Sequence, residues 1–185
     1  QSAVKRIFTD DETRAQLDRD GMMLSSANSI NWGRLAPQIA YYVSAYCDMV
    51  KAGTIRQGDR INVCVPTGNF GNILAAYIAK QMGLPVNKFI CASNRNNVLT
   101  DFFKKDGEYN RNRDFYTTTS PSMDILISSN LERLLFFASD FDDRMVAELM
   151  AKLNGEGSYK VASDVFAKIA ADFDAGCCDD EHAAE

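Results

Sequence analysis

Long apolar runs and histidines are both scarce in this sequence of 185 residues. No stretch approaches the about 20 consecutive apolar residues that a membrane-spanning helix requires, so we expect no membrane partner. The single histidine, His182, lies in an acidic, alanine-rich segment and is not accompanied by the further ligands that a metal site needs. We therefore predict no metal centre.

Positive charge is also in short supply. The sequence has 20 lysines and arginines against 25 aspartates and glutamates, which gives a net charge of -5. A field of this sign does not attract nucleic acid or an anionic membrane surface, so we expect neither as a partner. A site for an anion must therefore come from local backbone geometry.

The five cysteines include no C-x-x-C pair. Cys47, Cys64 and Cys91 lie in apolar segments, where cysteine behaves as a small hydrophobic residue. Cys177 and Cys178 are adjacent. Because this pattern does not predict a disulfide framework, we expect the protein to reside in the reducing cytoplasm.

Hydrophobic periodicity predicts a single domain over residues 1–185 in which helices and strands alternate. A long helix is expected to begin near Trp32, to kink at Pro37 and to bury Trp32, Tyr42 and Tyr46. Further helices are predicted at 72–82, 96–105, 142–153 and 162–173, and another that is capped by Asn130. The predicted strands are 60–65, 88–92 and 115–119.

This order predicts an α/β fold with three layers, αβα, around a mostly parallel sheet. Residues 60–92 are expected to form a right-handed βαβ unit. Only about three strands are identifiable, so we interpret the domain as part of a larger fold. Residues 174–185 are expected to be a flexible tail.

The most informative segment, Pro66-Thr67-Gly68-Asn69-Phe70-Gly71-Asn72, joins the first of these strands to the helix that follows. A glycine turn in this position points successive backbone N–H groups at one spot, and the helix N-terminus adds partial positive charge there. The segment therefore predicts a phosphate-binding loop. The alternative is a tight turn that binds nothing.

Two common nucleotide sites are excluded by the residues around this loop. A Walker loop needs Lys and Ser or Thr directly after its second glycine, where this sequence has Asn72 and Ile73. A dinucleotide fingerprint needs a third glycine and a carboxylate after the next strand, and both are missing. What remains is a compact phosphate held by amides, and pyridoxal 5′-phosphate (PLP) is one such ligand.

Four motifs in order resemble the threonine synthases of bacteria and fungi. They are Ser26-Ala27-Asn28-Ser29-Ile30-Asn31-Trp32, the loop from Val65 to Leu74, Lys80-Gln81-Met82-Gly83-Leu84-Pro85, and the segment from Ser120 to Asn130. The resemblance covers roughly residues 20–140. It implies a fold-type-II PLP-dependent enzyme related to the β-subunit of tryptophan synthase.

The resemblance also implies an activity. Threonine synthases convert O-phospho-L-homoserine and water to L-threonine and phosphate, with PLP as the electron sink. The implied contacts of the PLP phosphate are Thr67, Gly68, Asn69, Phe70, Gly71 and Asn72.

The resemblance places the Schiff-base lysine and the C-terminal segment of the family outside this sequence, and Lys80 is expected to face solvent. We therefore interpret the chain as an internal fragment that is inactive alone. An apolar face left open by truncation is expected to allow self-association.

Other polar residues are candidates for the substrate site. Asn28, Ser29 and Asn31 suit either a pocket wall or helix capping. Ser120 belongs to the hydroxyl-rich segment 117–122, which suits either a substrate-phosphate contact or a strand end with a turn. Further candidates near these segments are Asn94, Asn96, Asn97, Arg111, Arg113 and Arg133.

Two alternative functions stay open at this point. One is another fold-type-II PLP enzyme, of the dehydratase or cysteine synthase type. The other is a non-catalytic phosphate-binding module. The order Asn28-Ser29-Ile30-Asn31 before the glycine loop favours threonine synthase over the other enzymes.

Overall fold

A computed structural model describes residues 7–8, 10–25 and 27–183 of the chain. Ser26 of the first polar motif and residues 184–185 of the expected tail lie outside this description. Helix α1 spans Asp11–Arg19, and the Asp10 carboxylate caps it by accepting hydrogen bonds from the N–H groups of Glu12 and Thr13. None of the helices in these ranges is long and apolar enough to cross a membrane.

Helix α2 (Trp32–Leu35) and helix α3 (Ile39–Lys51) are separated by a 3-10 turn, Ala36–Gln38. The break lies at Pro37, as predicted, because proline has no N–H to donate and clashes with the preceding turn. Tyr46 is buried, but Trp32 is 53% exposed. The expectation that Trp32 belongs to the core is therefore wrong.

Strand β1 (Ile61–Pro66), helix α4 (Gly71–Gln81) and strand β2 (Val86–Ser93) follow each other as predicted. The two strands are parallel, with Val65 opposite Cys91. Lys80 on α4 does not face solvent freely as expected. Its ammonium group is 2.7 Å from Asp172 and the side chain is only 24% exposed.

The second half of the chain adds helices and short strands around this unit. In order, they are α5 (Val98–Lys104), β3 (Glu108–Asn110), a 3-10 turn (Pro121–Met123), α6 (Leu131–Ala138), α7 (Asp143–Gly155), β4 (Ser158–Lys160), α8 (Ser163–Asp172), β5 (Phe173–Cys177) and α9 (Asp180–Ala183). Strands β3 and β4 pair antiparallel in a separate two-stranded ribbon.

The third strand of the main sheet is not the predicted one. The sheet has the order β1-β2-β5 and is parallel throughout, which confirms the α/β class. Residues 115–119 form no strand. Residue 173, expected to end a helix, and residues 174–177 of the expected flexible tail instead pair with β2, with Phe173 opposite Phe89.

Phe173 also explains why β5 is held in place. Its ring packs against Phe89 at 5.0 Å and Phe103 at 5.5 Å between centroids, and against Phe70 at 5.8 Å. Phe70 belongs to the glycine loop, so burial of this aromatic cluster ties the loop to the hydrophobic core.

Candidate anion-binding site at the glycine loop

A hollow of about 280 Å³ lies where β1 ends and α4 begins. It is lined by the glycine loop, by the end of β1 and by polar residues from the segment before α3. The lining residues are Asn28, Ser29, Arg34, Gln38, Val65, Pro66, Thr67, Gly68, Asn69, Phe70, Gly71, Asn72 and Ile73. The structure thus brings the predicted phosphate loop together with Asn28 and Ser29.

The loop lines this hollow, and most of its backbone N–H groups form no hydrogen bond with other described residues. The N–H of Thr67 continues the sheet by donating to the carbonyl of Ala92 at 2.8 Å. The next N–H groups, 68 to 72, have no acceptor among the described residues, and α4 begins within them at Gly71. Free amides at a helix N-terminus form a site for an anion.

Two glycines are required by close contacts. A Cβ at position 71 would lie 2.4 Å from the Cβ of Ser29 and 2.6 Å from its Oγ. A Cβ at position 68 would lie 2.7 Å from the carbonyl oxygen of Ser122. The glycine spacing therefore lets two distant segments touch the loop backbone.

Asn130 is the central support of the loop. Its side chain is fully buried, and its amide nitrogen donates to the carbonyl of Asn69 at 2.9 Å and to the Oγ of Ser29 at 3.1 Å. Asn130 precedes α6, but its side chain makes no capping hydrogen bond. The expected capping role is thus wrong, because the amide is used between segments.

Arg133, one turn further along α6, supports the same contact. Its guanidinium donates to the carbonyls of Ser29, at 3.1 Å, and Ile30, and to the Oδ1 of Asn130 at 2.8 Å. On the other side of the loop, the Ser128 hydroxyl donates to the carbonyl of Gly68 at 2.9 Å. Arg133 therefore holds the backbone of the first polar motif, and it does not line the hollow.

Asn72 is fixed by the helix pair before the sheet. Its Oδ1 accepts a hydrogen bond from the Tyr42 hydroxyl, and its amide donates to the Oε1 of Gln38 at 3.1 Å. Burial raises the pKa of Tyr42 to about 12, so the phenol keeps its proton near neutral pH and remains a donor. These contacts orient the first turn of α4.

Asn31 and Ser120 lie outside the lining of the hollow. The Oδ1 of Asn31 accepts from the N–H of Gly33 at 2.9 Å and caps α2, which is the capping alternative. The N–H of Ser120 donates to the hydroxyl of Thr118, within a loop folded around Asp124.

That loop is organised by one carboxylate. Asp124 accepts hydrogen bonds from the N–H and hydroxyl of Thr118 and from the amides of Asn94 and Asn96. Desolvation acts to raise the pKa of Asp124, but the bonds from Thr118, Asn94 and Asn96 outweigh it and lower the pKa. Asn94 and Asn96 are thus occupied in holding the segment 116–124.

The other arginine candidates are occupied as well. Arg113 pairs with Asp101 at 2.9 Å and donates to the Oδ1 of Asn97 at 2.9 Å. Arg111 donates to the carbonyl of Asn154 at 3.0 Å. Neither lines the hollow.

The sequence analysis missed Arg34 and Gln38, which do line it. Arg34 lies on α2 and Gln38 in the 3-10 turn that follows it, and no local feature of the sequence marks either residue as part of a site. No carboxylate is among the described residues that line the hollow. Elsewhere in the described ranges, no three His, Cys, Asp or Glu side chains are placed to hold a metal ion.

Comparison with solved structures defines the class. The chain superimposes with a TM-score of 0.85 and 40% identity on a threonine synthase from Brucella melitensis whose crystal structure has PLP bound, over 97% of this chain and 36% of that one. The fold is therefore that of part of a fold-type-II PLP-dependent protein, as expected.

Sequence comparison narrows the class further. The chain is 51% identical over 180 residues to human threonine synthase-like 1, which covers 96% of this chain and 24% of the relative. It is 37% identical over 182 residues to threonine synthase from Saccharomyces cerevisiae. This aligned region covers 94% of this chain and 34% of the relative. No family model matches the chain.

The chain is thus homologous to a part of the threonine synthases and threonine synthase-like proteins, which confirms the resemblance seen in its motifs. It spans about a quarter to a third of the length of the curated relatives that it matches.

The contact between Gly71 and Ser29 generates a stability prediction. Gly71→Ala forces the added methyl group against Ser29, so we expect the free energy of unfolding to fall by about 1–3 kcal/mol, as for an overpacked core. Urea unfolding followed by circular dichroism measures this change. A second substitution, Ser29→Gly, removes the clashing atoms and is expected to recover part of the loss.

Gly155→Ala is the matched control. An added methyl at this position has no neighbour within 4 Å, so we expect a change of about 0.5 kcal/mol or less. Equal destabilisation by the two alanines would show that the approach of Ser29 to the loop does not constrain position 71.

The hydrogen bonds to Asp124 generate a pH prediction. Because they lower the pKa of Asp124 in the folded state, its contribution to stability is complete above its unfolded pKa of about 3.9 and is lost as the pH falls through the lower folded value. Asp124→Asn is therefore expected to destabilise the protein at pH 6 and to have a smaller effect at pH 3. Urea midpoints at the two pH values measure this, and an equal effect at both would contradict it.

Proposed function

We propose that this chain forms the PLP-phosphate-binding part of a threonine synthase, which converts O-phospho-L-homoserine and water to L-threonine and phosphate. The observation that carries the proposal is the row of backbone N–H groups from Gly68 to Asn72, which have no acceptor within the described residues and face a hollow without carboxylates. Homology to threonine synthases supports the identity of the reaction.

The residues present fit a phosphate group. A phosphate dianion only accepts hydrogen bonds, and the loop offers five successive N–H donors, 68 to 72, that have no acceptor among the described residues. The first turn of α4 adds the partial positive charge of a helix of 11 residues. The loop itself has no lysine or arginine, so peptide dipoles supply the attraction.

Each supporting residue has a role in holding this cradle. Asn130 and Arg133 hold the segment of Ser29 against the loop, and Ser128 fixes the carbonyl of Gly68 so that the amides keep their direction. Tyr42 and Gln38 hold the side chain of Asn72 at the start of α4. When bound, PLP supplies an electron sink for carbanion chemistry.

The lysine that binds the cofactor in this proposal comes from a part of the parent protein outside this sequence. Lys80 follows the loop on α4, but it is engaged with Asp172 at 2.7 Å. We therefore propose that this chain alone produces no threonine, and that the parent protein works in the cytoplasm. The five free cysteines are in keeping with a reducing compartment.

A non-catalytic phosphate-binding module is the second candidate. It rests on the same amides and differs only in the absence of turnover. The relative of highest identity quoted above is named threonine synthase-like, which leaves its reaction unstated. Production of threonine from O-phosphohomoserine by the full-length parent separates the two candidates.

Binding of the cofactor's phosphate tests the proposal directly. Pyridoxine 5′-phosphate carries the same phosphate and ring as PLP but has no aldehyde to react with surface lysines. We expect it to shift the amide resonances of residues 68–72 in ¹⁵N NMR spectra. Asn72→Asp places a negative charge at the exposed start of α4, where it repels the phosphate, so we expect it to weaken binding at least tenfold. A carboxylate at a helix N-terminus is favoured by the helix dipole, so we expect the variant to fold.

Asn62→Asp is the matched control, because it adds the same charge to an exposed position of β1 and keeps the oxygen that accepts from Asn87. We expect this variant to bind pyridoxine 5′-phosphate as the unaltered chain does. Absence of shifts at 68–72 in the unaltered chain, or equal weakening by both aspartates, would contradict the proposed cradle.

Exposed apolar side chains on α2 and α3 support the proposed self-association. Trp32, Tyr41 and Val43 on α2 and α3 are 53%, 60% and 41% exposed. Large exposed apolar patches mark interaction surfaces, and we propose that these three residues contribute to one. Sedimentation velocity is expected to show a dimer that forms with rising concentration and is weakened by Tyr41→Lys. A concentration-independent monomer would contradict self-association.

A further inference from the structure

A second hollow, of about 520 Å³, lies at the carboxyl end of β5. Its volume is within the range of about 300–1,000 Å³ that is typical of small-molecule sites. We call it the cysteine hollow, because two of the five cysteines line it. Its walls include Arg95, Asn97, Cys177, Cys178, Asp179 and His182, none of which lines the hollow at the glycine loop.

The sheet fixes the backbone of these two cysteines. Cys177 is the last residue of β5 and lies opposite Ser93 of β2, and the N–H of Cys178 donates to the carbonyl of Ser93 at 3.1 Å. Both cysteines are nevertheless exposed, and both are free thiols. The end of the strand therefore presents two reduced sulfurs to solvent at a defined place.

Asn97 holds the sulfur of Cys177 at the wall of the cysteine hollow. Its side-chain amide donates to this sulfur at 3.9 Å, and its Oδ1 accepts a hydrogen bond from Arg113 at 2.9 Å. Arg113 also pairs with Asp101 at 2.9 Å, so both ends of the Asn97 amide are engaged. These contacts give the Cys177 thiol a fixed position although it is exposed.

The other three cysteines do not combine exposure with a place in this hollow. Cys91 is buried, and burial raises the pKa of its thiol to about 12, so it does not form the thiolate that attacks disulfides. Cys47 on α3 and Cys64 on β1 are exposed, but neither lines the cysteine hollow. Their thiols therefore serve as internal references for an exposed cysteine outside a site.

Arg95 supplies a cation to the cysteine hollow. Its guanidinium lies 3.9 Å from the centre of the Tyr116 ring, and stacking of this kind orients the planar group. None of the ion pairs between described residues involves Arg95. The carboxylate in the wall, Asp179, is instead 2.6 Å from the Nδ1 of His182. Arg95 is therefore available to a carboxylate on a bound molecule, which a guanidinium binds through parallel N–H donors.

We propose that Cys177 is a site of reversible modification by small disulfides that carry carboxylates, of the type of glutathione disulfide. The Cys177 thiolate attacks one sulfur of the disulfide, so that a new S–S bond joins it to the protein while the original S–S bond breaks. The departing thiolate takes up the proton that Cys177 released. The protein sulfur is thus oxidised, half of the disulfide is reduced to a thiol, and Arg95 binds a carboxylate of the half that stays.

The neighbouring thiol is poorly placed to release this group. Release by Cys178 would require a disulfide between adjacent residues, whose Cα atoms are about 3.8 Å apart, below the separation of about 4.4–6.8 Å that disulfides favour. The bonds of both residues to β2 oppose the backbone shift that such a disulfide needs. We therefore expect the mixed disulfide to persist until an external thiol reduces it.

Mass spectrometry of the whole 185-residue chain tests this site. The reduced chain is incubated with glutathione disulfide near neutral pH, and intact and peptide masses are followed with time. We expect the first adduct to form on Cys177, at least fivefold faster than on Cys47 or Cys64, and dithiothreitol to remove it. Cys177→Ser is expected to abolish this fast adduct. Cys47→Ser is the matched control, and we expect it to leave the rate within about twofold.

A neutral disulfide tests the contact of Arg95. Arg95→Gln is expected to slow the reaction of Cys177 with glutathione disulfide at least threefold, but to leave its reaction with uncharged hydroxyethyl disulfide within about twofold. Arg144→Gln makes the same change of net charge at an exposed position on α7, and we expect it to alter neither rate. Equal slowing of both reactions by Arg95→Gln, or slowing of neither, would overturn the carboxylate contact.

Three results would overturn the modification site itself. They are equal rates at Cys47, Cys64 and Cys177, a first adduct on Cys178, and a disulfide between Cys177 and Cys178 in place of the mixed disulfide. None of these measurements involves the cofactor, so they leave the proposed function to its own test with pyridoxine 5′-phosphate.

Discussion

The candidate site depends on the side-chain amide of Asn130. This buried group donates to the Oγ of Ser29 and to the carbonyl of Asn69, which are 101 and 61 residues away in sequence. Loss of either partner would leave a buried polar group unsatisfied, at a cost of about 1–3 kcal/mol. One amide therefore couples three chain segments, and the position of the loop is a property of the tertiary fold rather than of the loop sequence.

What the sequence revealed of the fold was local. Strand β1, the glycine turn and α4 follow from apolar periodicity and glycine spacing within some 20 residues. The predicted strand at 115–119 relied on the β-propensity of threonine. In the structure the Asp124 carboxylate accepts a hydrogen bond from the N–H of Thr118, and this bond holds the segment as a loop. Strand β5 was missed because Asp174 and Gly176 are disfavoured in strands, and its pairing with β2 is stabilised by Phe173.

The site was predictable to the same extent. The loop and the motif around Ser29 were identified because glycine and capping residues have local signatures. Asn130 was recognised as a residue at a helix start, but its contacts with Ser29 and Asn69 depend on how α6 packs against α4. Arg34 was passed over because an arginine on a short helix has no local feature that separates a solvated side chain from one that lines a hollow.

Preorganisation is the consequence of this arrangement. Phe70 adopts the left-handed conformation with φ of 62°, which costs a non-glycine residue about 1–2 kcal/mol. Its ring is 1% exposed and packs against Phe103 and Phe173, so burial in the core offsets the backbone strain. Because the core and Asn130 hold the turn, the loop keeps its position without help from a ligand. In the proposed function, an anion meets donors that are already held in place, which lowers the entropic cost of its binding in a chain whose net charge of -5 opposes it.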